Sequence, residues 1–81
     1  LDPQWEKLQT VFQDVLEDDE LEINAQTTAA DVEGWDSLAH VTLMINVEKR
    51  FGVKFRSSDI ARLKSVGELM DLINAQLALR G

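Results

Sequence analysis

The sequence predicts an all-α fold: a small four-helix bundle of three main helices plus one short helix, with a long loop between the first two helices. Three observations predict it. Apolar residues recur at three- and four-residue steps in three separate stretches. Proline and glycine are sparse, with one and four copies in 81 residues, and β-branched runs are short. Residues that start and stop helices fall at the ends of the periodic stretches.

The first helix opens at Asp2-Pro3, an N-cap followed by proline at the first helical position. Its stripe is Trp5, Leu8, Val11, Phe12, Val15 and Leu16. The acidic run Glu17-Asp18-Asp19-Glu20 ends it, because carboxylates at a helix C-terminus oppose the macrodipole. From Leu21 to Asp36 no helical period persists. Leu21, Ile23, Ala29, Ala30 and Val32 read as anchors that pin this long loop onto a core, and loops of such length are usually functional. A helix over 37–51 follows, with Val41, Met44, Ile45, Val47 and Phe51 as an apolar face. Lys49 and Arg50 suit its last turn, and Gly52 stops it. Val53 to Arg56 form an extended link in which Phe55 reads as a core plug. Ser57-Ser58-Asp59 starts the short helix, which carries Ile60 and Leu63. Ser65 and Glu68 have capping-box spacing before a last helix burying Val66, Leu69, Leu72, Ile73 and Leu77. Arg80 and Gly81 read as a frayed end.

Residues 1–81 make one domain, since no repeat, low-complexity segment or linker divides them. The absence of cysteine excludes disulfide scaffolds, thiolate metal sites and cysteine nucleophiles, and fits a reducing, cytoplasmic setting. No apolar run approaches the roughly 20 residues that span a bilayer, and no signal-peptide pattern opens the chain. The chain also lacks an initiator Met, as a trimmed protein or a piece of a longer polypeptide would. A net charge of −7 argues against nucleic acid as a partner. The charge is unevenly spread. Residues 1–36 hold eleven acids against Lys7 alone, whereas residues 37–81 hold seven bases against four acids. Such a run is a solubilising surface or a field that steers basic partners.

Catalysis and metal binding find little support. His40 and Asp36 flank Ser37 in sequence, but a triad needs its acid behind the histidine, away from the nucleophile. His40 therefore reads as a helix-surface residue. Taking Asp18 as the first ligand of a calcium loop puts Ile23 where glycine is needed, so no metal site is assigned. Ser37 is the residue of interest. Taken alone, a serine at a helix start is a cap. In context it ends a long loop, follows Gly34, Trp35 and Asp36, and opens a clean helix. A hydroxyl there sits in the positive field of a helix N-terminus, which suits a phosphodiester.

Gly34-Trp35-Asp36-Ser37-Leu38 resembles the Asp-Ser-Leu signature of the acyl carrier protein family, which includes the thiolation domains of polyketide and peptide synthetases. The acidic first helix, anchored loop, helix from Ser37, link ending at Phe55, and short and final helices also follow that family's order. The resemblance implies a monomeric carrier, not an enzyme, with 4′-phosphopantetheine from coenzyme A attached at Ser37 by a magnesium-dependent phosphopantetheinyl transferase. It implies acyl-loading and acyl-processing enzymes as partners, which read Trp35, Asp36, Leu38, Val41, Thr42, Ile45 and Glu48. Periodicity alone leaves Val41 and Ile45 open to core packing instead. Fatty-acid-synthesis carriers have several acids along this helix; here Glu48 is the sole one, among His40, Thr42, Asn46, Lys49 and Arg50. That departure, with Trp35 before Asp-Ser, points to polyketide or another specialised biosynthesis. A peptidyl carrier for aminoacyl groups and an unmodified acidic interaction module are the alternatives.

Overall fold

The computed structural model describes residues 2–80, without the side chain of Arg80. Four α-helices follow in order: α1 (Pro3–Leu16), α2 (Ser37–Phe51), α3 (Ser57–Arg62) and α4 (Val66–Arg80). A single 3₁₀ turn, Ala29–Asp31, interrupts the long loop. The backbone of Arg80, expected to fray, instead closes α4, and Gly81, the other residue of that expectation, lies outside the described residues.

The ends of the helices show why they stop and start where they do. Asp2 accepts a hydrogen bond from the N–H of Gln4 at 2.9 Å, and Pro3 occupies a position where a missing N–H costs nothing. At the other end Glu17 takes a left-handed conformation, φ 54°, and Asp18 donates its N–H back to the Gln13 carbonyl at 3.0 Å. Gly52 performs the same turn after α2 at φ 67°, without the penalty a β-carbon brings. The capping box before α4 is shifted by one residue. Ser65 Oγ accepts from the Glu68 N–H, whereas Glu68 Oε1 accepts from the Lys64 N–H instead of that of Ser65.

One core joins α1, α2 and α4. Leu8, Val11 and Phe12 come from α1, Leu43, Met44, Val47 and Phe51 from α2, and Val66, Leu69, Met70 and Ile73 from α4. Leu43 and Met70 are core residues that sequence periodicity missed. Leu72 and Leu77, expected inside, are only half-buried. Val53 is the buried residue of the α2–α3 link, and Phe55, expected as its plug, packs half-buried against the core edge. Each fully buried aliphatic or aromatic side chain contributes roughly 1.5–3 kcal/mol. The surface ion pair between α1 and α2 adds little: Arg50 and Asp14 approach to 3.8 Å with both side chains well exposed, a geometry worth about 0–1 kcal/mol.

The long loop is held mainly by hydrogen bonds. Gln9 Oε1 accepts from the Ile23 N–H, and Gln13 Nε2 donates to the Leu21 carbonyl. Further on, the N–H groups of Val66 and Gly67 donate to the carbonyls of Thr27 and Ala25 at 2.8 and 3.0 Å. Those two bonds satisfy donors at the start of α4 that no helical carbonyl reaches. They also bring backbones so close that a β-carbon on Gly67 would lie 2.7 Å from the Ala25 carbonyl oxygen. Leu21, Ile23 and Val32 anchor the loop as their hydropathy suggests. Ala29 and Ala30 do not: both are exposed, because the 3₁₀ turn carries them outward, and buried Thr27 holds that stretch in their place. Thr27 Oγ1 accepts from the Asn24 N–H at 2.9 Å, so its burial leaves no polar atom unsatisfied.

Candidate functional site: the loop-to-helix junction at Ser37

The last residues of the loop deliver Ser37 to solvent. Gly34 sits at φ 89°, and its carbonyl accepts from the Asp36 N–H at 3.1 Å, which turns the chain sharply into α2. Asp36 is the N-cap: its Oδ1 accepts from the Ala39 N–H at 2.8 Å, and its carbonyl accepts the first helical bond from the His40 N–H. With Asp36 as the cap, Ser37 falls at the first helical position. Its side chain is exposed, and among the described residues its hydroxyl has no hydrogen-bond partner. The ordinary reading of a serine at a helix start, as the cap itself, thus does not apply here. The first-turn N–H groups of Ser37 and Leu38 have no carbonyl within the helix to bond, and they place partial positive charge beside the hydroxyl.

The other residues singled out in the sequence fall into two sets. Leu38, Val41 and Ile45 are 77%, 52% and 46% exposed, which settles Val41 and Ile45 as surface residues instead of core. Thr42 is exposed on the same helix, its hydroxyl turned back to the Leu38 carbonyl at 3.1 Å. The second set serves the fold. Glu48 is half-buried, and its Oε2 accepts from the Phe55 N–H at 2.7 Å, holding the α2–α3 link. Trp35 is half-buried, with its ring edge-on to Phe12 at 5.1 Å between centroids.

His40 departs from its expected place on the helix surface. Its ring is half-buried and lies nearly parallel to that of Trp35, at 6.0 Å and 19°. Nδ1 accepts from the Trp35 indole N–H at 3.1 Å, and Nε2 lies 3.1 Å from the Ile60 carbonyl oxygen. Spacing hid this arrangement because one partner is a backbone carbonyl, which has no sequence signature. Beside it a crevice of about 420 Å³ runs between α2 and α3, bordered by Ser37, Trp35, His40, Ile60 and Leu63.

Three helices share one core, a short fourth packs beside α2, and the start of α2 displays an exposed, unbonded serine hydroxyl next to the crevice. Residues 6–73 match the family model described as phosphopantetheine attachment site. The acyl carrier proteins of Thermotoga maritima and Thermosynechococcus vestitus are 29% and 30% identical to this chain over 73 residues, covering 90% of it and 90% of each relative. The solution structure of a holo acyl carrier protein from Geobacter metallireducens superposes with a TM-score of 0.88 at 35% identity, covering 96% of this chain and 90% of that one. The chain belongs to the acyl carrier protein family and is a non-catalytic, phosphopantetheine-carrying protein. Among the described residues, no helix is long and apolar enough to cross a membrane.

Proposed function

We propose that Ser37 is the residue that bears the 4′-phosphopantetheine arm. The observation that carries this reading is the exposed Ser37 hydroxyl, left without a hydrogen bond because Asp36 supplies the cap. In the transfer catalysed by a phosphopantetheinyl transferase, Ser37 Oγ gives up its proton and bonds to phosphorus, and the nucleotide part of coenzyme A leaves. The N–H groups of Ser37 and Leu38 favour the resulting anionic diester over the neutral hydroxyl. When bound, the arm supplies a terminal thiol that carries an acyl group as a thioester. A cysteine-free chain offers no thiol of its own to compete for that group.

Acyl-loading and acyl-processing enzymes then meet the outer side of α2. Leu38, Val41 and Ile45 offer apolar contacts there, Trp35 and Asp36 shape the approach, and Thr42 adds a polar edge. Glu48, the sole acid of the helix, has one carboxylate oxygen engaged by Phe55. Lys49 is exposed beside it. A docking enzyme that presents a basic patch finds little to pair with on this side, which supports a polyketide or other specialised pathway over housekeeping fatty acid synthesis.

Incubating the chain with coenzyme A and a promiscuous phosphopantetheinyl transferase, followed by intact mass measurement, tests the assignment. One pantetheinyl adduct is expected on the wild type and none on Ser37→Ala. An adduct on Ser37→Ala, or none on the wild type, sinks it.

A further inference from the structure

His40 belongs to neither the exposed side of α2 nor the shared core, yet both of its ring nitrogens are engaged. The Ile60 carbonyl only accepts, so Nε2 carries the ring proton, and the bare Nδ1 is then free to accept from the Trp35 indole. One neutral tautomer satisfies both ends. The contact runs onward through Trp35 to buried Phe12. A continuous path therefore links α1, the loop, α2 and α3.

α3 is the element most dependent on that path. Six residues are too few to sustain a helix alone. None of them is buried, and the N-cap residue, Arg56, makes no side-chain capping bond. Among the described residues, the His40 contact to Ile60 is the one hydrogen bond that joins α3 to another helix. Both sides of the crevice next to Ser37 meet at this point.

We propose that His40 is a positioning residue: through its two nitrogens it latches α3 onto α2 and Trp35, and so fixes the width of the crevice that opens beside Ser37. The latch stands on geometry alone; its bearing on a group carried at Ser37 rests on the reading of that serine given above. The charged groups bordering the crevice are Asp36, from the loop, and Lys64, beyond α3, while Asp59 is half-buried on α3 itself. Phe12, the contact from α1, brings no charge. A His40→Phe variant keeps all of these charges, so it isolates the imidazole.

The test uses the unmodified chain, labelled with nitrogen-15. At about pH 7.5 the ring-nitrogen resonances of His40 should report the Nε2–H tautomer, with the Trp35 indole proton slow to exchange. His40→Phe retains a flat ring but neither bond, and should speed amide exchange across α3 by about tenfold or more, leaving core amides of α1 and α4 within about twofold. Trp35→Phe keeps ring packing and removes the donor, and should speed α3 exchange by about threefold to tenfold. The Nδ1–H tautomer overturns the latch. So does equal acceleration of α1, α3 and α4 in His40→Phe, or no change at α3 in either variant. If His40→Phe does not fold, the wild-type tautomer and Trp35→Phe still decide. None of these readouts requires the arm, so a failed latch leaves the Ser37 assignment untouched, and a failed modification assay leaves the latch standing.

Discussion

Leu43, Met44, Val47 and Phe51 on one side of α2 are buried, whereas Leu38, Val41 and Ile45 on the other stand largely in solvent. The two sets differ little in hydropathy, so residue type did not decide which side faces inward. Partners did: α1 and α4 cover the first set, and no other helix covers the second. An 81-residue domain has a thin stability margin, and leaving three aliphatic side chains uncovered is a cost with no return in folding. Under the proposed function the return comes when an acyl-processing enzyme covers them. The inner side of α2 holds the protein together, and under the proposed function the outer side is where acyl-processing enzymes meet it.

Substitutions sharpen the contrast, starting with the largest effect. Phe12→Ala and Leu43→Ala, both at positions with 0% exposure, should cost about 3–5 and 2–5 kcal/mol, seen as a lower urea midpoint or a chain unfolded outright. Gly67→Ala forces a β-carbon against the Ala25 carbonyl, which belongs to a hydrogen-bonded backbone and yields poorly. It should cost about 1–3 kcal/mol by the same measurement. Asp36→Ala removes the α2 cap and should cost about 1 kcal/mol. Val41→Ser and Ile45→Ser should leave stability within about 0.5 kcal/mol while weakening turnover by acyl-processing enzymes. If an outer substitution destabilises as much as Leu43→Ala, the two sides are not distinct in the way described.

Much of this division was open to reading from the sequence, and the exceptions have physical causes. Asp2-Pro3 and Gly52 mark helix ends through backbone chemistry that acts locally, so their signals survive folding. Val41 and Ile45 could not be placed because α2 is apolar around more than half its circumference, and a periodic pattern names a side only when the opposite one is polar. Leu43 was missed for the same reason. Ala29 and Ala30 were misplaced because small apolar residues gain little by burial and follow the backbone turn they occupy. The His40 bond to the Ile60 carbonyl and the Glu48 bond to Phe55 escaped notice because backbone groups were the partners, and these look alike at every position. Ser37 stood out, but only the observed cap at Asp36 separates it from an ordinary capping serine.

The central claim is that the arm belongs on Ser37, and the chain contains three other serines, Ser57, Ser58 and Ser65, that also lie near helix starts. Tandem mass spectrometry of peptides from the modified wild-type chain distinguishes them in one measurement. The pantetheinyl group should be found on the peptide containing Ser37 and at that residue alone. Its localisation to Ser57, Ser58 or Ser65 would contradict the account.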